Sequence, residues 1–270
     1  MVMQSFEKSV FSTDAVDGKP LQHDVYTKGD GPVILLIQEL PGIGTETLRL
    51  ADKLVNAGFR VVMPHIFGPL GKLSFIGNTA RLFCMRREFS LFAKKRSSPV
   101  VNWLRALSAE LKQQYDVPGI GVIGMCLSGN FAISLMADDA VLAGVSSQPS
   151  LPLGGQSALH MSDEDVAQIR ESLDEKGAML AFRFAGDKLC TQTKFTALDA
   201  AFNDDKERIK LTNIVGNAHS LLTMHFIDEV GSPTDEALRE VIAYFGDKLS
   251  DNTAEPIARA TDASSPSSSA

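Results

Sequence analysis

Gly119-Ile-Gly-Val-Ile-Gly-Met-Cys-Leu-Ser-Gly-Asn-Phe-Ala-Ile-Ser-Leu-Met136 is the stretch whose reading decides the fold. Gly119 to Ile123 is an apolar run of strand length, and Phe131, Leu135 and Met136 recur at the spacing of one helical face. The pattern predicts a strand, a sharp turn and a helix, with Cys126 at the turn. A side chain at such an apex stands clear of the sheet, beside a helix N-terminus whose free N–H groups and dipole favour negative charge. That setting suits a thiolate nucleophile, because it lowers a thiol's pKa below the usual value of about 8.5. Gly124 permits the tight backbone before Cys126, whereas Ser128 and then Gly129 follow it, an imperfect match to G-x-[Ser/Cys]-x-G. The competing reading of Cys126 is a small buried hydrophobe, since free cysteine is among the most buried residue types.

Working outward, Val33-Ile-Leu-Leu-Ile37 is a continuous apolar run, as expected of a strand covered on both faces, and it leads into Gln38-Glu39-Leu40-Pro41-Gly42. Leu48, Ala51, Leu54 and Val55 lie at helical spacing over 47–57 and stop at Gly58, and Phe59-Arg-Val-Val-Met63 is a further strand closed by Pro64. Strand, helix and strand in this order form a βαβ unit. Residues 1–31 are polar and mixed, with turn signals between short edge-strand pieces such as 21–27. Beyond Cys126, strands are expected over 141–147, 178–185 and 208–215. Helices are expected from Ser162, from Phe195 to Phe202, and after Ser232-Pro233, and another carries Val100, Trp103, Leu104, Leu107 and Leu111. The alternation predicts one α/β domain over residues 1–249 with a doubly wound, mostly parallel sheet and helices on both faces. Residues 65–97, rich in aromatic and basic side chains toward their end, read as a lid-like insertion, and 250–270 as a disordered tail.

Composition narrows the partners. The 270 residues are 44% hydrophobic and 22% charged, ordinary for a globular domain, and the formal net charge of −7 argues against nucleic-acid or anionic-membrane surfaces. Small molecules are the expected partners; the sequence leaves the oligomeric state open. Three cysteines, Cys84, Cys126 and Cys190, show no C-x-x-C spacing, which points to a reducing compartment and, without a leader or a membrane span, to the cytoplasm. No metal cluster or cofactor motif is visible. His23 and His160 fall in irregular segments, His65 and His225 read as structural, and Cys84 and Cys190 as core or lid packing residues.

Ligands of doubly wound sheets bind beyond the carboxyl ends of the strands. Glu39, Cys126, Asp187 and His219 each follow an apolar strand at that end. Cys126 is placed to attack, His219 to hold or move the proton and Asp187 to orient the imidazole. Taken singly, Asp187 in Gly-Asp-Lys is good turn chemistry and His219 an ordinary loop histidine; the nucleophile-acid-histidine order is what joins them, being that of α/β-hydrolases.

On the stretches 33–43, 51–64 and 124–129, with Gly186-Asp187 and Ala218-His-Ser220, the chain resembles the dienelactone hydrolase family of α/β-hydrolases. The resemblance implies the α/β-hydrolase fold, no cofactor, and hydrolysis of small carboxylic esters or lactones through an acyl-cysteine. It implies a triad of Cys126, Asp187 and His219, a Glu39 that contacts the resting thiol and controls its ionisation, and an oxyanion hole from the backbone N–H groups of Leu40 and Leu127. Two departures stand out. Ser128 replaces a glycine usual in the family's turn, and the arginine that follows the family's catalytic histidine is missing from Ser220-Leu-Leu-Thr-Met-His225. Arg81, Arg86 and Arg87 of the lid-like segment are the candidates to bind a substrate carboxylate in its place. These departures keep open an alternative from another class, a non-catalytic small-molecule binding protein that retains the fold.

Overall fold

The computed structural model describes residues 2–13, 20–40, 42–66, 70, 99–150, 158–159 and 161–250. Most of the lid-like insertion, with Cys84, Arg81, Arg86 and Arg87, lies outside the described residues, as do His160 and the tail from 251.

Eight strands form one sheet in the order β1-β2-β4-β3-β5-β6-β7-β8. The first two, β1 (Glu7–Thr13) and β2 (Leu21–Lys28), pair antiparallel, and β2 pairs antiparallel with β4 (Arg60–Pro64). From β4 onward the sheet is parallel, through β3 (Val33–Ile37), β5 (Ile120–Met125), β6 (Val141–Ser147), β7 (Met179–Phe184) and β8 (Ile209–Ile214). This is the expected mostly parallel architecture, with β1 as the outermost strand and β2 inside it.

The residues of β3 are all fully buried, and their alternation explains the unbroken apolar run. Val33, Leu35 and Ile37 face one side, where they join Trp103, Leu104, Leu107 and Leu111 of α2 (Pro99–Gln114) and Phe131 and Leu135 of α3 (Leu127–Leu135). The same layer holds Ile169 and Leu173 of α4 (Asp163–Lys176) and Phe195, Leu198 and Phe202 of α5 (Gln192–Phe202). Ile34 and Leu36 face the other side, against Leu48, Ala51 and Leu54 of α1 (Thr45–Asn56) and Leu238, Val241, Phe245 and Leu249 of α6 (Pro233–Ser250). A strand between two helical layers has no polar face to show. The capping box read at Ser162 is present: its hydroxyl accepts the Asp165 N–H at 3.0 Å, and the Asp165 carboxylate accepts the Ser162 N–H at 3.0 Å.

Parallel register brings the ends of the central strands into line. Ile37 stands beside Gly124, Met125 beside Ser147, Ser147 beside Phe182 and Phe184 beside Ile214. The segments that leave these strands, carrying Glu39, Cys126, Gln148, Asp187 and His219, therefore share one rim.

Candidate active site

Cys126 occupies the turn between β5 and α3 with φ 58° and ψ −120°. Positive φ is unfavourable for a residue with a Cβ, of order 1–3 kcal/mol, and persists where the surroundings enforce it. Here the enforcement is a close approach of backbones. A Cβ on Gly124 would lie 2.0 Å from the Ser128 carbonyl oxygen, and one on Gly129 would lie 3.1 Å from Pro149 Cα. Glycine at both positions lets strand and helix meet at this angle. Ser128, the departure from the family pattern, is fully buried and ties the turn together: its hydroxyl accepts the Met125 N–H at 2.8 Å and lies 3.0 Å from the Ile37 carbonyl of β3.

The other two predicted triad residues meet. His219 Nδ1 lies 2.7 Å from Asp187 Oδ2, and the second Asp187 oxygen accepts the N–H groups of Leu189 at 2.8 Å and Cys190 at 3.1 Å. Asp187 is 4% exposed, so these bonds are its replacement for water. Arg183 braces this turn from below. Its buried guanidinium donates to the carbonyls of Cys190 and Ala185, each at 2.8 Å, and to the side chains of Gln192 and Asn213.

Burial alone would hold His219 neutral. Asp187 and the Cys126 sulfur outweigh it and push the imidazole up to about 10. Nε2 of the ring is buried and has no hydrogen-bond partner among the described residues. The ring is thus anchored at Nδ1 by Asp187 and acted on by the Cys126 sulfur, the disposition required of a group that exchanges a proton with a thiol and a substrate.

Glu39 sits under the histidine segment. It is 3% exposed and accepts hydrogen bonds from Ser220 Oγ at 2.8 Å, from Thr223 Oγ1 and from Gln148 Nε2 at 3.4 Å. Burial raises its carboxyl above the ordinary range, opposed by the Thr223 and Ser220 hydroxyls and by the charge on His219. The Gln148 amide is oriented by its own surroundings, because its oxygen faces the Ser147 hydroxyl and the Leu221 N–H, leaving the NH₂ for Glu39. The expected contact between Glu39 and the thiol is replaced by this cage. Cys126 Sγ lies 3.2 Å from Ser150 Oγ instead.

Leu127 is the first residue of α3, where a helix leaves its N–H groups without internal acceptors, and half-buried Leu40 follows Glu39 on the same rim. Among the described residues no group of three or more His, Cys, Asp or Glu has the arrangement to hold a metal, and no helix is long and apolar enough to cross a membrane. Cys126 and Cys190 are both free thiols.

The profile of the dienelactone hydrolase family matches residues 23–249. The chain belongs to that family. Solved structures of the same fold include a Klebsiella pneumoniae protein assigned as a dienelactone hydrolase, at 14% identity and TM-score 0.60, with 89% of this chain and 99% of that one covered. A dienelactone hydrolase-like promiscuous phosphotriesterase from metagenomic libraries is 16% identical at TM-score 0.62, covering 90% of this chain and 98% of that one. An esterase from Pyrococcus furiosus is 15% identical at TM-score 0.58, covering 91% and 92%. No curated protein matches the sequence.

The α/β-hydrolase architecture and family membership agree with the expectation from the motifs. Sequence reasoning passed over Ser150, Gln148, Ser220, Thr223 and Arg183. Arg183 had a signal, since a charged residue in Met-Leu-Ala-Phe-Arg-Phe must be buried with its strand. Ser150 had none beyond its place in the irregular loop after the neighbouring strand.

Proposed function

We propose that the chain hydrolyses small carboxylic esters or lactones with Cys126 as nucleophile, His219 as proton carrier and Asp187 as its orienting carboxylate. The observation that carries this reading is the 2.7 Å contact of His219 with Asp187, while the same ring is raised to about 10 by Asp187 and Cys126 together. A cysteine that shares a proton with an imidazole is a nucleophile at neutral pH.

In this reading the Cys126 sulfur attacks the ester carbonyl carbon, and the N–H groups of Leu127 and Leu40 receive the oxyanion. Each such donor is worth about 100-fold or more in rate. His219 gives its proton to the departing alkoxide, leaving an acyl-cysteine. It then takes a proton from water as the water attacks the thioester, and collapse releases the acid and the thiol. Glu39, beneath His219, supports the positive ring. The lid arginines Arg81, Arg86 and Arg87 remain the candidates for a substrate carboxylate, and a reducing compartment such as the cytoplasm keeps the thiol free.

Hydrolysis of p-nitrophenyl acetate and of a dienelactone by wild type and Cys126→Ala tests the reading. The variant is expected to lose about 1,000-fold or more in kcat, as when a nucleophile is removed from a triad. Wild-type turnover by Cys126→Ala would sink it.

A further inference from the structure

We infer that Ser150 is the positioning residue of the Cys126 thiol, the role that the family resemblance gives to Glu39. The inference rests on Cys126 being the nucleophile. Its starting point is the 3.2 Å separation of Cys126 Sγ and Ser150 Oγ. Ser150 is 3% exposed, and the sulfur is the hydrogen-bond partner of its hydroxyl among the described residues. A buried hydroxyl without a partner is costly, so the pair constrains both side chains.

The backbone delivers Ser150 to this place. Beyond β6 the chain turns at Gln148, which has φ 38° and donates its N–H to the Phe182 carbonyl at 2.6 Å. It then folds back over the β5–α3 turn. Cys126 donates its N–H to the Ser147 carbonyl at 3.0 Å, and Ser150 donates its N–H to the Cys126 carbonyl at 3.1 Å. Asn130 of α3 joins the two segments from the helix side, with Nδ2 at 3.2 Å from both the Leu127 and the Ser150 carbonyls. Three backbone and side-chain ties thus fix the Ser150 Cβ relative to the sulfur.

Glu39, by contrast, is committed elsewhere: its oxygens accept from Thr223, Ser220 and Gln148. Thr223 stands four residues after His219, in the stretch where the family's arginine is missing. The cage that forms there draws the carboxylate toward the histidine segment and leaves the sulfur to Ser150.

Among the described residues two titratable groups are tied electrostatically to Cys126. His219, backed by Asp187, approaches from the segment after β8, and Cys190 from the segment after β7, its thiol held neutral by burial. The first turn of α3 carries no acidic side chain. In the contact either atom can donate while the sulfur is a thiol; once the sulfur is ionised it can only accept, so the Ser150 hydroxyl then donates to it and holds it in place alongside His219.

Alkylation of Cys126 by iodoacetamide, followed by peptide mass mapping across pH 5–10, reads this without ester turnover. The variants are Ser150→Ala and the equal-shaped pair Ser150→Thr and Ser150→Val, each checked for native circular dichroism. Ser150→Ala and Ser150→Val are expected to move the alkylation midpoint up by about one pH unit, a roughly tenfold loss of thiolate at neutral pH, while Ser150→Thr stays with wild type. An unmoved midpoint in Ser150→Ala, or Ser150→Thr and Ser150→Val titrating together, overturns the inference. Failure of the nucleophile reading is seen separately, as retained hydrolysis in Cys126→Ala.

Discussion

At the scale of single residues, the site is built from buried polar side chains whose hydrogen bonds leave little slack. Arg183 is the clearest case. Its guanidinium serves four acceptors, two of them carbonyls of the turn that presents Asp187. Lysine keeps the charge but lacks the planar fork, so Arg183→Lys strands several of these groups in a buried setting. The variant is expected to lose about 2–4 kcal/mol of stability in urea unfolding, with hydrolysis lowered through a displaced Asp187. Equal stability with unchanged kcat would show that the brace is dispensable. The residue scale is also where the sequence said least. The places of Cys126, Asp187 and His219 on the rim were legible because each follows an apolar strand, and strand ends can be read from pattern. Ser150 and Thr223 were not, because their roles depend on which way an irregular loop folds back, which no periodicity encodes.

At the scale of elements, the turn from β5 into α3 depends on contacts that cross to a neighbouring strand. Ser128 accepts the Met125 N–H of its own strand, and its one hydroxyl proton is shared between the Met125 carbonyl at 2.9 Å and the Ile37 carbonyl of the adjacent strand β3 at 3.0 Å. What reads in the sequence as a blemish in a glycine motif is therefore a link between two strands of the rim. Removing the hydroxyl leaves the buried Met125 N–H without its acceptor, at a cost of about 1–3 kcal/mol. Ser128→Ala is accordingly expected to lower the urea midpoint by that equivalent and to slow iodoacetamide alkylation of Cys126. An unchanged midpoint would mean that the link carries no stability. The elements themselves were readable almost throughout. The run 33–37 announced a strand with both faces covered, and α5 differs from expectation only in starting at Gln192 rather than Phe195. Its first turn holds Lys194, which is buried with Nζ 3.0 Å from the Ala158 carbonyl; a lysine inside a core interrupts the apolar pattern by which a helix start is recognised.

At the scale of the whole molecule, the buried titratable groups make stability depend on pH in a way that can be signed. His219 is raised from 6.5 to about 10 in the folded chain. Its contribution is complete below pH 6.5, where the unfolded histidine is also protonated, and is lost as pH rises toward 10. Lys194, lowered by burial to about 8, works the other way, adding stability between about 8 and its ordinary 10.5. His23, buried against Trp103 and lowered, makes its change below 6.5. Between pH 6.5 and 8 the His219 effect stands alone of the three. With Cys126 as the thiolate partner of the ring, the proton that His219 keeps is the one the thiol has given up, so wild type is expected to stay level there, whereas Cys126→Ala, in which Asp187 alone raises the ring, is expected to lose up to about 1–2 kcal/mol of unfolding free energy as pH rises through the window. A Cys126→Ala curve that rises across this window would contradict the ion-paired site. The order of the elements along the chain also bears on when the proposed chemistry becomes available. Elements that meet at the rim are far apart in the chain: Cys126 leaves β5, while His219 lies on the segment after β8. A ribosome releases the thiol long before it releases His219. On the proposed mechanism, a nascent protein that still lacks the segment after β8 carries Cys126 without the group that is to share its proton, and the reactive pair exists only once that segment has been made and has docked.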